Sequence, residues 1–140
     1  METWLIMFGS DIFLLALFFV VGLWLKKSPP PRRPKRSLIA NGYVQTKMAT
    51  TNDDTWDFAN RDYGRRLVRV ATVAFPLVVL AMVPVLGRSE EVVAYWGSAV
   101  MVALIVAFLV PIVWTERALR ATFTPEGTRR DARRKQDRRA

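Results

Sequence analysis

Three stretches of this chain are almost free of charge: residues 4–25 hold only Asp11, residues 67–87 only Arg69, and residues 92–114 none. A helix rises about 1.5 Å per residue and the hydrocarbon core of a bilayer is about 30 Å thick, so each stretch is long enough to cross once. The charges are packed between and after these runs rather than interleaved with them. A soluble domain with 51% apolar and 24% charged residues would mix the two along amphipathic elements. The pattern therefore predicts an all-α integral membrane protein with three transmembrane helices. At 140 residues it is read as one membrane domain over 1–114, followed by a basic tail over 115–140.

Composition excludes several chemistries. The chain has no Cys and no His. Disulfides, thiolate or imidazole metal sites, haem ligation by histidine and histidine-based catalysis are therefore not available. Met7, Met82 and Met101 lie in apolar runs and read as packing or lipid-facing residues, so no metal and no cofactor is expected. The net charge of +9 suits nucleic acid in a soluble protein. Beside three membrane spans it points instead to anionic lipid headgroups, each surface cation contributing about 1 kcal/mol, and no nucleic-acid partner is expected.

The first span carries Trp4 and Trp24 near its ends, where interfacial aromatic residues belong. Its only early charge is the acidic Glu2, and no small-x-small cleavage site follows. It reads as a retained helix rather than a signal peptide. A Pro-rich basic flank from Lys26 to Arg36 then forbids helix continuation. Pro76 and Pro84 fall inside the second span and predict a kink, with Thr72 one turn before Pro76 placed to satisfy a freed carbonyl. The third span has small residues at every fourth position, Ala99, Ala103 and Ala107. That spacing marks a helix-packing face, for this chain or for a second copy in a homo-oligomer. Asp11 is the only acid deep in a span, about 10 Å in from the outer surface, and is expected to meet headgroups or water there.

Basic residues set the orientation. The 26–66 segment holds ten Lys and Arg, the 115–140 tail nine, and the 88–91 turn one. Positive residues stay inside, which places the loop and Ala140 in the cytoplasm and Met1 outside a cell membrane, with multiple passes between. Thr124-Pro125-Glu126 suits a helix start, but the sequence beyond Phe123 has no apolar face, so the tail is expected to be mobile.

One segment differs from its basic surroundings. Residues 38–64 bring aromatic, amide and acidic residues, with an Asn41-Gly42 turn signal and a weak capping box formed by Thr51 and Asp54. Trp56, Ala59, Asn60, Tyr63 and Leu67 then share one helical face. The spacing predicts a short interfacial helix in the cytoplasmic loop, or one leading directly into the second span. Asp53, Asp54, Asp57 and Asp62 invite comparison with a catalytic carboxylate cluster. Asp53 and Asp57, however, share a face with Arg61, and surface pairing accounts for them more simply, so no enzyme is expected.

This segment resembles the SdpI family of small bacterial inner-membrane proteins, named for an immunity protein against a secreted peptide toxin. The family pattern runs from an Asn through Gly, an aromatic or aliphatic residue and Arg to a Thr, then reaches a Trp and an Ala-Asn pair before the next span. Asn41 takes the place of the first Asn and Thr46 that of the Thr. Trp56 stands ten residues after Thr46, and Ala59-Asn60 follows in register. Tyr43-Val44-Gln45 replaces the family's Gly, aromatic or aliphatic residue and Arg, and Ala49-Thr50 stands where many members have Ser-Met. Gln45 in place of the arginine removes a fixed charge and a five-donor fork. The resemblance implies an immunity or signal-transduction protein that binds a peptide or a cytoplasmic partner at the membrane. Asn41, Thr46, Trp56, Ala59, Asn60 and Tyr63 are then the candidate partner-binding residues. The alternative is an accessory subunit packed against a larger membrane complex through the alanine face.

Overall fold

The structure, a computed structural model, describes residues 1–31 and 46–131. Asn41 and its turn, the Gln45 departure, the flank from Arg32 to Arg36 and the tail from 132 onward lie outside the described residues.

Three helices form: α1 (Glu2–Lys27), α2 (Asp53–Met82) and α3 (Glu90–Thr122), with a short 3₁₀ turn, Val83–Val85, after α2. All three are long and apolar enough to cross a membrane. Among the described residues there is no strand, only an isolated antiparallel bridge between Phe123 and Arg129. The helices run up, down and up. Trp4 at the start of α1 donates its indole N–H to Met82 O at the end of α2 (2.9 Å), and Phe18 stacks on Phe108 of α3 with ring centroids 3.9 Å apart. Near the other end of α1, Gly22 lies against Gly64 and Val68 of α2.

The core is a thin apolar seam. Leu15 and Leu25 of α1, Leu67, Ala71, Val78 and Met82 of α2, and Val93, Leu104 and Phe108 of α3 are buried in it. Outside the seam, Phe13, Leu17, Val73, Leu77, Leu80, Val102, Val106 and Leu109 are exposed. Apolar faces of that extent on every side are incompatible with water and match hydrocarbon. The bundle is an integral membrane protein of three transmembrane helices.

Several local expectations are corrected. The segment from Asp53 to Arg66 is not a separate interfacial helix. It forms the first turns of α2 and runs without a break into the second span, because Trp56, Ala59, Asn60, Tyr63 and Leu67 continue one buried stripe at helical spacing. The capping box is displaced by one residue from the expected pair. Asn52 is the N-cap, its Oδ1 accepting from Thr55 N (2.8 Å), while Asn52 N donates to Thr55 Oγ1 (3.0 Å). Asn is among the best N-caps, and Thr55 supplies the return bond that Asp54 was expected to make.

Pro84 lies in the 3₁₀ turn rather than in the helix, and Pro76 alone remains inside α2. The Thr72 hydroxyl donates back to Val68 O (2.8 Å) and so does not serve the carbonyl that Pro76 leaves without a donor. The end of α2 is finished by tryptophan. Besides Trp4, Trp96 donates to Ala81 O (2.8 Å), a useful donor at a helix end where Pro84 brings no N–H of its own.

The alanine stripe is not the face that α3 buries within this chain. Ala99 and Ala103 are exposed and Ala107 half-buried, whereas Val93, Gly97, Leu104, Phe108, Pro111, Thr115 and Leu119 face the bundle. Close approach is made by Gly97 instead, where an added Cβ would lie 2.8 Å from Met7 Cβ. Asp11 is also not reached by headgroups or water. It is 0% exposed, between the levels of the Met7–Gly97 and Phe18–Phe108 contacts, and neither carboxyl oxygen has a hydrogen-bond partner among the described residues.

Candidate functional site at the basic end of the bundle

The C-terminal end of α1, the N-terminal end of α2 and the C-terminal end of α3 meet at one pole, and the residues of the sequence motif gather there. The approach of α1 to α2 is set by two glycines. A Cβ on Gly64 would sit 2.7 Å from both Gly22 O and Lys26 N, and one on Gly22 would sit 3.1 Å from Gly64 O. No side chain fits between these backbones, so the helices touch directly. Leu25 and Leu67 seal the contact, each 0% exposed.

Above this crossing the motif residues turn inward. Trp56 is 4% exposed, and its indole N–H donates to Pro30 O at 2.6 Å, tying the chain that leaves α1 to the first turn of α2. Asn60, fully buried, donates from Nδ2 to Trp56 O (3.0 Å). Ala59 and Tyr63 are buried beside it. Thr46 is half-buried, its Oγ1 accepting from Ala49 N (3.2 Å) to shape the turn over 46–51. Four of the six candidate partner-binding residues are thus interior. They build the end of the bundle, and any partner meets the surface they support.

The tail joins the same assembly. α3 extends two turns past Trp114 to Thr122, and Phe123 packs edge-on to Phe58 with centroids 5.4 Å apart. The segment Thr124-Pro125-Glu126-Gly127 is a turn rather than a helix start, closed by Gly127 N to Thr124 O and Thr124 N to Thr128 O, both 2.9 Å. Gly127 has φ +81°, and an added Cβ would strike the Asn52 amide, which itself donates to Gly127 O (2.8 Å). Of the segment expected to be a mobile tail, residues 115–122 are the last turns of α3, and residues 123–131 fold back with Gly127 against the N-cap of α2. Phe123 and Thr124 supply the buried surface that composition alone did not reveal.

Asp62, ion-paired within α2, links that helix to α3. Asp62 Oδ2 accepts from Arg66 Nε (2.7 Å) and from the Thr115 hydroxyl (3.3 Å), and Arg65 lies 3.9 Å from Oδ1. The Arg66 guanidinium sits 6.0 Å from the centre of the Trp114 ring, which places a cation and an aromatic together at this edge of the apolar belt. Sequence reasoning missed Gly22, Gly64, Thr115 and Gly127, and singled out Asp62 without its partners. Gly22 is a lone small residue in a run of large ones, and Gly64 lies one turn beyond Asn60. That juxtaposition was the available signal.

No group of three or more metal-ligating side chains occurs among the described residues. What remains is a small three-helix membrane protein whose one polar pole is bolted together by buried tryptophan, asparagine and threonine. Its sequence matches the model of the SdpI/YfhL protein family over residues 43–115, just over half of the chain. The chain belongs to that family. The match covers the motif from Tyr43 onward, α2 and most of α3, and leaves Asn41 and α1 with Asp11 outside it. No curated protein and no solved structure matches the chain.

Proposed function

We propose that this chain is a non-enzymatic immunity or signalling protein of the SdpI type, which holds a cytoplasmic partner or a membrane-active peptide against its basic pole. Met1 lies outside and Ala140 in the cytoplasm. The observation that carries the reading is the location of the motif. Trp56 and Asn60 are buried, and together with Asn52 they tie the exit of α1 and the fold-back after α3 to the first turns of α2. A surface held this way loses little entropy on binding, which is the use of preorganisation in recognition. The excess of basic residues over the two segments at this pole supports its cytoplasmic side.

A second reading has its own support. Ala99 and Ala103 face outward from the bundle, leaving a small-residue stripe on α3 free for another helix. On that reading the chain is an accessory subunit of a larger membrane complex. Co-purification from native membranes in mild detergent separates the two. A soluble regulator or peptide that is lost with changes at the pole supports the first, whereas a stoichiometric membrane complex lost on Ala103→Leu supports the second. Reporter fusions after Ala140 test the topology, since a reporter active only outside the cytoplasm would overturn it.

A further inference from the structure

At the basic pole the 46–51 turn, the last turns of α3 and the fold-back leave a cleft of about 430 Å³. That is within the range of small-molecule sites, about 300–1,000 Å³. Its lining divides into three chemistries. Lys47, Arg120 and Arg130 bring positive charge, Met48, Phe123 and Pro125 an apolar floor, and Glu116 a carboxylate. Arg130 Nε donates to Phe123 O (3.2 Å), which holds its guanidinium at the wall. Arg120 Nε donates to Glu116 Oε1 (3.1 Å), so only one carboxylate oxygen is satisfied. The other, Oε2, is buried without a hydrogen-bond partner among the described residues.

We propose that this cleft is a binding site for the phosphoethanolamine headgroup of a membrane lipid. The phosphate sits among Arg120, Arg130 and Lys47, and the ammonium donates to Glu116 Oε2. A buried acceptor left unpaired is costly, and an ammonium two carbons beyond a phosphate ester oxygen is the complement that a row of cations beside one carboxylate selects. The depth is right for a lipid. Glu116 and Arg120 lie about 3 and 9 Å along α3 beyond Trp114, spanning a headgroup layer about 5–7 Å thick on each face. A headgroup without an N–H or O–H donor would satisfy the cations and leave Oε2 bare, a glycerol headgroup offers only a neutral hydroxyl, and a trimethylated one has no N–H to give. The inference rests on the pole lying at a membrane surface but not on which side it faces.

The test uses the full chain, delipidated in detergent, with binding read by native mass spectrometry and thermal shift. Phosphatidylethanolamine, phosphatidylglycerol and phosphatidylcholine of one acyl composition are compared with soluble glycerophosphoethanolamine. Phosphatidylethanolamine is expected to bind one per chain, at least tenfold more tightly than phosphatidylcholine. Glu116→Gln should erase that preference, and exposed Lys47→Gln and Arg120→Gln should weaken every phospholipid. Equal binding of the ethanolamine and choline lipids, tighter binding of phosphatidylglycerol, or an unchanged preference in Glu116→Gln overturns the proposal. Equal affinity for glycerophosphoethanolamine assigns the site to a soluble phosphoethanolamine compound and overturns the lipid. Binding in detergent is blind to sidedness, so its failure leaves the proposed topology standing.

Discussion

The two poles of this bundle are closed in opposite ways. At the pole away from the basic segments, a short turn joins α2 to α3, and two indole N–H groups, from Trp4 and Trp96, cover the carbonyls of Met82 and Ala81. Gly9 in that half of α1 has nothing within 4 Å of an added Cβ, and Ser10 bonds only its own helix, to Ile6 O (2.7 Å). At the basic pole two helices meet backbone to backbone, and segments far apart in sequence exchange side-chain hydrogen bonds. The difference shows where this chain spends its specificity. The open pole is finished by two indole donors and one close approach, Gly97 against Met7. The basic pole demands more particular residues, drawn from all three helices and the segments that flank them.

The largest expected effect tests that demand. Trp56→Ala removes a buried ring and the bond to Pro30 O, and should lower stability in detergent by about 3–5 kcal/mol. Insertion should survive, because the three apolar spans that direct it are unchanged. Gly64→Val forces a side chain between α2 and α1, with an expected loss of about 1–3 kcal/mol or more. Gly9→Ala at the open pole should be neutral or slightly stabilising, since Ala is the better helix former. Thermal denaturation of the three variants side by side decides the matter. If Gly9→Ala costs as much as Gly64→Val, the two poles are not different in kind.

Asn60→Ala sharpens the same contrast against Asp11. Both side chains are fully buried and polar, but Asn60 is bonded to Trp56 O and Asp11 has no hydrogen-bond partner among the described residues. Loss of the Asn60 amide should destabilise by about 1–2 kcal/mol, whereas Asp11→Leu, which removes an unpaired carboxyl, should be neutral or stabilising. Should Asp11→Leu leave the fold intact while abolishing partner binding or protection from a peptide, the acid serves function rather than structure. A substantial loss of stability in Asp11→Leu would show that the carboxyl has a partner in the membrane-embedded protein.

How much of this was legible in the sequence differs between the poles in the same sense. The three spans follow from runs of apolar residues, because in a bilayer the apolar length is itself the structural requirement. The buried stripe of Trp56, Ala59, Asn60 and Tyr63 followed from helical spacing, and the structure places all four inside. Contacts between distant segments were not legible. Nothing in the local sequence of Gly127 says that its carbonyl meets Asn52, and nothing near Thr115 says that its hydroxyl meets Asp62. The alanine spacing on α3 left its neighbour open for the same reason. Period four identifies a face that permits close approach, but the neighbour that takes it up is decided elsewhere, and in this chain Gly97 meets α1 instead.

The smallest effect concerns the tail, and it divides the tail at a definite point. Deleting residues 132–140 removes Arg133, Arg134, Lys135, Arg138, Arg139 and one acid, Asp137. The described contacts of the fold-back are made by residues 123–130, all of which remain, so thermal stability should change by less than about 0.5 kcal/mol. Attraction to anionic vesicles should weaken and lose part of its salt dependence, since each removed cation near the surface is worth about 1 kcal/mol. Deleting from Thr128 onward is a different experiment. It also takes Thr128 N from Thr124 Oγ1, Arg130 from Phe123 O and the Arg129 guanidinium 5.7 Å from the Phe123 ring. These three contacts close the lid over Phe123, so the longer deletion should cost about 1–2 kcal/mol more than the shorter one. The pair of truncations, melted together at low and high salt, separates the electrostatic arm from the folded cap. Equal stability of the two would mean that the fold-back after α3 contributes nothing to the basic pole.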